Sequence, residues 1–180
     1  MASRTARQGP RAEAGADAPS AAVPRAGRES VWDYPRPPRL ERVKDRLRVV
    51  LDGEVLAETE QGWRVLETSH PPTYYFPPTA VRRDLLVPAP GRTLCEFKGP
   101  AHYWTAETGG RRVERVAWSY PDPWGRFRPI TDHFAFYASR VDACWVGDDP
   151  VHPQEGDFYG GWITDRVAGP FKGAPGTRFW

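Results

Sequence analysis

Residues 94–120, LCEFKGPAHYWTAETGGRRVERVAWSY, decide how this chain reads. Side chains of like character recur here every second residue, the spacing that places neighbours on opposite faces of a strand. Over residues 94–98, Leu94, Glu96 and Lys98 share one parity, and Cys95 and Phe97 the other. Over residues 101–107, Tyr103 and Thr105 oppose His102, Trp104 and Ala106. Beyond Gly109-Gly110, Val116, Trp118 and Tyr120 oppose Arg115, Ala117 and Ser119. Gly-Gly tolerates positive φ at both positions, so the pattern predicts a β-hairpin turning there, with a kink upstream at Gly99-Pro100.

On the N-terminal side, residues 46–51 alternate Leu47, Val49 and Leu51 inward, Asp52-Gly53 signals a two-residue turn, and residues 54–58 return. A second turn at Gln61-Gly62 leads into residues 63–68, which predicts a three-stranded meander. Residues 67–78, ETSHPPTYYFPP, hold four prolines, which exclude a helix or central strand. Tyr74, Tyr75 and Phe76 are costly to leave in water, so this segment is expected to lie across the open face of the sheet. Residues 79–86 read as a short helix with Thr79 as N-cap and Val81, Leu85 and Leu86 on one side, ended by Pro88 and Pro90. Residues 134–137, 141–146 and 162–165 read as further strands, and residues 154–161 as a glycine-bearing loop. The F-K-G of residues 97–99 recurs at residues 171–173, too short a match to define a repeat. The fold class is therefore mostly β with a minor helical part: a compact antiparallel β-sheet domain.

Composition sets the outer limits. Residues 1–30 contain no Leu, Ile, Phe, Trp or Tyr and cannot bury enough apolar surface to order themselves, so they read as a disordered tail. They contain no continuous apolar run of the kind a secretory signal needs. Residues 31–44 read as a proline-rich arm over the surface, residues 45–165 as the domain, and residues 166–180 as an irregular extension whose terminal aromatics dock back. The net charge of +2 sits in the tail, and the rest of the chain is neutral, which argues against a nucleic-acid partner. No stretch approaches the ~20 apolar residues of a membrane span. Two cysteines, Cys95 and Cys144, are too few for a disulfide framework or paired zinc knuckles. The expectation is a soluble cytoplasmic protein with free thiols, monomeric or weakly dimeric.

Several residues carry candidate chemistry. Cys95 lies three residues from Lys98, whose ammonium would favour a thiolate if the chain bends between them; in an unbent strand the two point apart, and Cys95 then simply packs. Cys144, beside Trp145, reads as core. Glu67, at the entrance to the tyrosine-rich segment, is placed to act as acid or base or to pair with Lys98 or an arginine. His70 is the best acid–base candidate among the histidines, with a turn cap as the favoured reading of its setting. The four histidines are scattered without metal-ligand spacing, and no metal or cofactor is expected. Arg outnumbers Lys 22 to 3, which singles out Lys44, Lys98 and Lys172. Tyr74, Tyr75, Tyr103, Trp118 and Tyr120, with Trp104, combine apolar faces with polar tips, as a small-molecule cleft requires. With Lys98 and Glu67 as polar anchors, they are expected to bind a small polar or nucleotide-like ligand. The alternatives are an enzyme using Cys95 or Glu67 and a protein-interaction module.

The order of motifs resembles a known family. E-x-S-x-P-P-x-Y-Y-F-P begins at Glu67, C-x-x-K-G-x-A-x-Y at Cys95, and W-S-Y-P-x-P at Trp118; F-A-F-Y follows from Phe134 and Y-G-G-W from Tyr159. This succession is similar to the bacterial and fungal domain of unknown function 427, over roughly residues 45–165. The resemblance implies a β-rich fold like the β-tent (Mss4-like) group, whose members usually hold zinc through two cysteine pairs that this chain lacks. The family also carries a nucleotidyltransferase-like label. No glycine-rich phosphate loop and no close Asp-x-Asp pair support that label here.

Overall fold

The computed structural model describes residues 27–180, so residues 1–26 of the expected tail lie outside the described residues. In chain order the first strands are β1 (Glu29–Ser30), β2 (Arg39–Arg42), β3 (Leu47–Leu51), β4 (Glu54–Thr59) and β5 (Trp63–Leu66). Then come β6 (Thr73–Tyr75), β7 (Leu86–Cys95), β8 (Gly99–Glu107), β9 (Arg112–Ser119) and β10 (Phe134–Phe136). The last are β11 (Ala143–Val146), β12 (Asp149–Pro150), β13 (His152–Pro153), β14 (Trp162–Ile163) and β15 (Val167–Ala168). Three sheets, ordered β10-β9-β8-β7, β12-β11-β3-β4 and β2-β5-β6, form the body. The mostly antiparallel β fold follows the alternation read from the sequence.

The β3–β4 hairpin forms as expected, with Asp52 and Gly53 both at positive φ, 53° and 74°, the backbone of a tight two-residue turn. The β8–β9 hairpin also forms, but its four-residue turn works differently. Neither Gly109 nor Gly110 adopts a left-handed φ; the turn is closed by Thr108 N–H donating to the Arg111 carbonyl at 2.8 Å. Asp52 accepts from Thr108 Oγ1 and the Gly110 N–H, so the two hairpin tips are tied together. A Cβ at Gly110 would stand 2.9 Å from the Asp52 carboxylate, so a larger residue there would push this side chain aside.

Other expectations are corrected. The meander stops at two strands: β5 leaves β4 and pairs with β2 and β6, while the second edge of β4 is taken by Val81 and Arg82. The helix expected over residues 79–86 is two 3-10 turns, Pro78–Ala80 and Arg83–Leu85. Pro88 and Pro90 then sit within β7, an edge strand, with Pro90-Gly91 bulged out of the β8 register; edges and bulges are where a sheet tolerates residues without an amide donor. The proline-rich segment does include a short strand, β6, at the edge of its sheet. The chain bends at residues 96–98 and not at Gly99-Pro100, which already begin β8. The fold also starts before residue 45, because β1 pairs with β15 and β2 with β5.

Alternation sorts the buried side chains into two clusters on the two faces of the β7–β10 sheet. Phe76, Ala106, Ala117, Phe134 and Phe136 face β3, β4 and β11 in the larger core. Tyr75, Ala101, Tyr103, Trp118 and Ala135 face the other way. Val116 does not follow Trp118 as its parity predicts. A bulge around Arg115, at φ 50°, shifts the register against β8 and turns Val116 into the larger core. Phe76 joins the sheets: its N–H and carbonyl pair with Phe134, and its ring meets Phe136 edge-on at 5.5 Å. Phe76→Ala is expected to cost about 3–5 kcal/mol in urea unfolding, whereas Leu94→Ala, at a site 67% exposed, should stay within about 0.5 kcal/mol. Equal effects at both positions would refute this placement of the core.

Candidate functional site

The smaller cluster is not filled to its edge. A cavity of about 370 Å3 opens between the β6 segment, the β7–β9 strands and the C-terminal part of the chain. Tyr75, Tyr103, Trp118 and Tyr120 line it, together with Cys95, Glu67 and Lys98. Most of the candidates named from the sequence thus lie on one hollow, and two, Tyr74 and Trp104, do not. Strand alternation turns Tyr74 to the opposite face, where its ring packs 5.2 Å from Trp162 and burial pushes its phenol up to about 12. Trp104 likewise faces the larger core, bonding Ser119 Oγ through Nε1 at 2.9 Å.

Lys98 reaches the cavity because the chain reverses directly after β7. Gly99 takes φ 93°, and a Cβ there would come within 2.9 Å of the Trp124 indole. The Trp124 backbone N–H donates to the Lys98 carbonyl at 3.2 Å and pins the turn. The ammonium then lies 5.8 Å from the Tyr120 ring and 5.5 Å from the Phe127 ring, within cation–π range. Lys98 is only 8% exposed, and no carboxylate lies within 4.0 Å of its Nζ among the described residues.

Glu67 is held by Arg36, whose Nη2 donates to it at 3.1 Å, the arginine alternative of the sequence reading. Cys95 is half-buried beside the Tyr75 and Tyr120 phenols, and burial raises both phenols well above the ordinary tyrosine range. Cys144 is buried in the larger core, and burial pushes its thiol up. His70 closes a turn through its N–H to the Glu67 carbonyl at 3.0 Å and turns its ring into the cavity wall. Burial, with Lys172, Arg36 and Lys98 nearby, brings its imidazole down to about 3.

A third wall was not anticipated. Gln154, Phe158, Tyr159, Gly160 and Lys172 come from segments read as loop and irregular extension. Tyr159 meets His70 edge-on at 4.6 Å, and Lys172 Nζ lies 5.4 Å from the Tyr159 ring. Lys172 Nζ also donates to a main-chain oxygen of Trp180, the last residue of the sequence, at 3.0 Å, and its backbone N–H to the Ser69 carbonyl at 2.8 Å. Gly160 packs directly under Trp118, where any Cβ would overlap the indole. The signals available were the rarity of lysine, the Y-G-G-W from Tyr159 and the second F-K-G, both copies of which place their lysine on the same cavity. Among the described residues no group of three or more His, Cys, Asp or Glu side chains is arranged to hold a metal ion, and no helix is long and apolar enough to cross a membrane.

No curated protein matches the chain. A family model for the domain of unknown function 427 matches residues 39–147, more than half of the sequence. That span contains β2 to β11 and the first two walls of the cavity, and stops short of Gln154, Tyr159 and Lys172. On this match, the chain belongs to the domain of unknown function 427 (DUF427) family.

Proposed function

We propose that the domain binds a small anionic ligand with a planar or apolar portion, a class that includes nucleotide-like molecules. The supporting observation is a cavity of about 370 Å3 walled by aromatics and lined by Lys98, which has no carboxylate partner among the described residues, and by Lys172, while the nearby Glu67 is paired with Arg36. The size falls within the ~300–1,000 Å3 usual for small-molecule sites. An ammonium as covered as Lys98 is costly without a counter-charge, and an incoming anion supplies one.

The catalytic alternative finds less support. Glu67 is engaged with Arg36, and Cys95 has phenols rather than a base around it. The Cys95 thiol nevertheless lies on the cavity wall and can report occupancy.

Phenyl phosphate is expected to raise the melting temperature, with Lys98→Ala and Lys172→Ala each weakening its binding about tenfold, the loss of one charge-assisted contact. Equal stabilisation by the neutral benzyl alcohol, or unchanged affinity in both variants, would count against an anion site. Ellman's reagent should modify Cys95 and leave Cys144 untouched, at a rate that phenyl phosphate slows; modification indifferent to the phosphate would place the ligand elsewhere.

Acid stability offers a third test. His70 falls from an ordinary 6.5 to about 3 on folding, so the unfolded chain takes up this proton first as pH drops. Its contribution is full above about pH 6.5 and is lost between there and pH 3. His70→Gln should therefore lose less stability than the parent between pH 6.5 and 4, by about 2 kcal/mol or more. Parallel stability curves would show that the imidazole is not held neutral.

A further inference from the structure

Gln154 is buried with both ends of its amide engaged. Its Oε1 accepts from the Gly161 N–H at 3.0 Å, and its Nε2 donates to the Lys172 carbonyl at 2.6 Å. A backbone N–H only donates and a carbonyl only accepts, so the orientation of this amide is fixed at both ends. The same Nε2 lies 3.2 Å from His70 Nδ1. An amide NH2 offers only protons, so Nδ1 must accept. A neutral imidazole accepting at Nδ1 carries its own proton on Nε2.

That second nitrogen has no protein partner among the described residues, and the ring lines the cavity. We infer that Gln154 holds His70 in the Nε2–H tautomer, and that this uncharged donor joins Lys98 and Lys172 in recognising an oxyanion, a carboxylate or a phosphate. The inference rests on the reading of the cavity as an anion site and assigns it a third recognition group. The charged groups around the ring are Lys172 on the C-terminal segment, Lys98 in the β7–β8 turn, Arg36 from the arm and Glu67 in its own turn. With Arg36 spent on Glu67, the field at the ring is positive, so His70 donates a hydrogen bond without adding a further repelling charge. A ring in this state cannot take a proton from a ligand, which removes His70 as the general base expected from sequence.

Long-range 1H–15N spectra of histidine-labelled protein at pH 7 test this directly, with phenyl phosphate and benzoate as probes of the two oxyanion types. The free protein should show His70 neutral with its proton on Nε2, and an added probe should move that Nε2–H signal downfield. His70→Phe should weaken the preferred probe about tenfold, with affinity partly restored in His70→Gln, whose amide again offers N–H. Gln154→Glu, which presents an acceptor to Nδ1, should draw a proton there and weaken binding, with the melting temperature reporting what the lost donation to the Lys172 carbonyl costs the fold. A proton on Nδ1 in the parent protein, or a probe that binds without moving the Nε2–H signal, would overturn the role of His70 and leave the anion site standing. Failure of both probes to bind the parent protein would overturn the anion site and this inference with it.

Discussion

The pairing of β8 with β9 is the constraint on which the other features depend, because the sheet they centre is covered on both sides. Tyr103 lies opposite Trp118, and the next pair along is Trp104 opposite Ala117. The first pair faces the cavity and the second the larger core. A slip of one residue would exchange these faces along the whole strand, putting small residues at the cavity wall and bulky ones into a filled core. The bulge at Arg115 confines the one mismatch between sequence parity and burial to the far end of the hairpin. There Arg140 bonds the Arg115 carbonyl at 2.8 Å, and the Arg115 guanidinium stacks 3.8 Å from the Tyr103 ring.

Large aromatics leave a hollow because each is braced against another rather than free to collapse inward. Trp118 packs against Gly160 and against the Tyr137 ring 4.5 Å away. The Tyr137 hydroxyl donates to the Phe158 carbonyl at 3.2 Å, and Tyr103 is tied to Thr93 Oγ1 at 2.7 Å. Rings held at their tips keep their rotamers, and the space between them persists without a ligand. Burial also raises the Tyr75, Tyr120 and Tyr137 phenols well above the ordinary tyrosine range, so these rings stay uncharged even in alkaline solution.

Local alternation made much of this legible. Strand period and the Asp-Gly and Gly-Gly signals locate the two hairpins, and proline density marks the segment carrying Tyr75 against the hollow. What could not be read depends on long-range pairing. Nothing near residue 63 tells that β5 will abandon β4, since the choice is made by Arg39–Arg42 and by Val81, far along the chain. Tyr74 and Tyr75 are chemically alike, and only the register of β6 against β5 decides which one faces the cavity. Pro88 and Pro90 look like terminators in the sequence because their tolerance in a strand requires a free edge, a property of the assembled sheet and not of the segment.

The boundary of the family match divides the proposed site into two kinds of contribution. Within residues 39–147 lie the aromatic walls, Cys95, Lys98 and His70, enough for an apolar cleft with one ammonium and one imidazole. Outside it lie Lys172, which adds the second ammonium, and Gln154, which determines what the imidazole can do. The two are coupled, since the Lys172 carbonyl is the acceptor that orients the Gln154 amide. A change that displaces residues 171–173 would thus remove one cation and release the His70 tautomer in the same step. Charge and hydrogen-bond donation at this cavity are therefore set together, by a segment that carries neither helix nor long strand and is held to the body by the Lys172 N–H on Ser69.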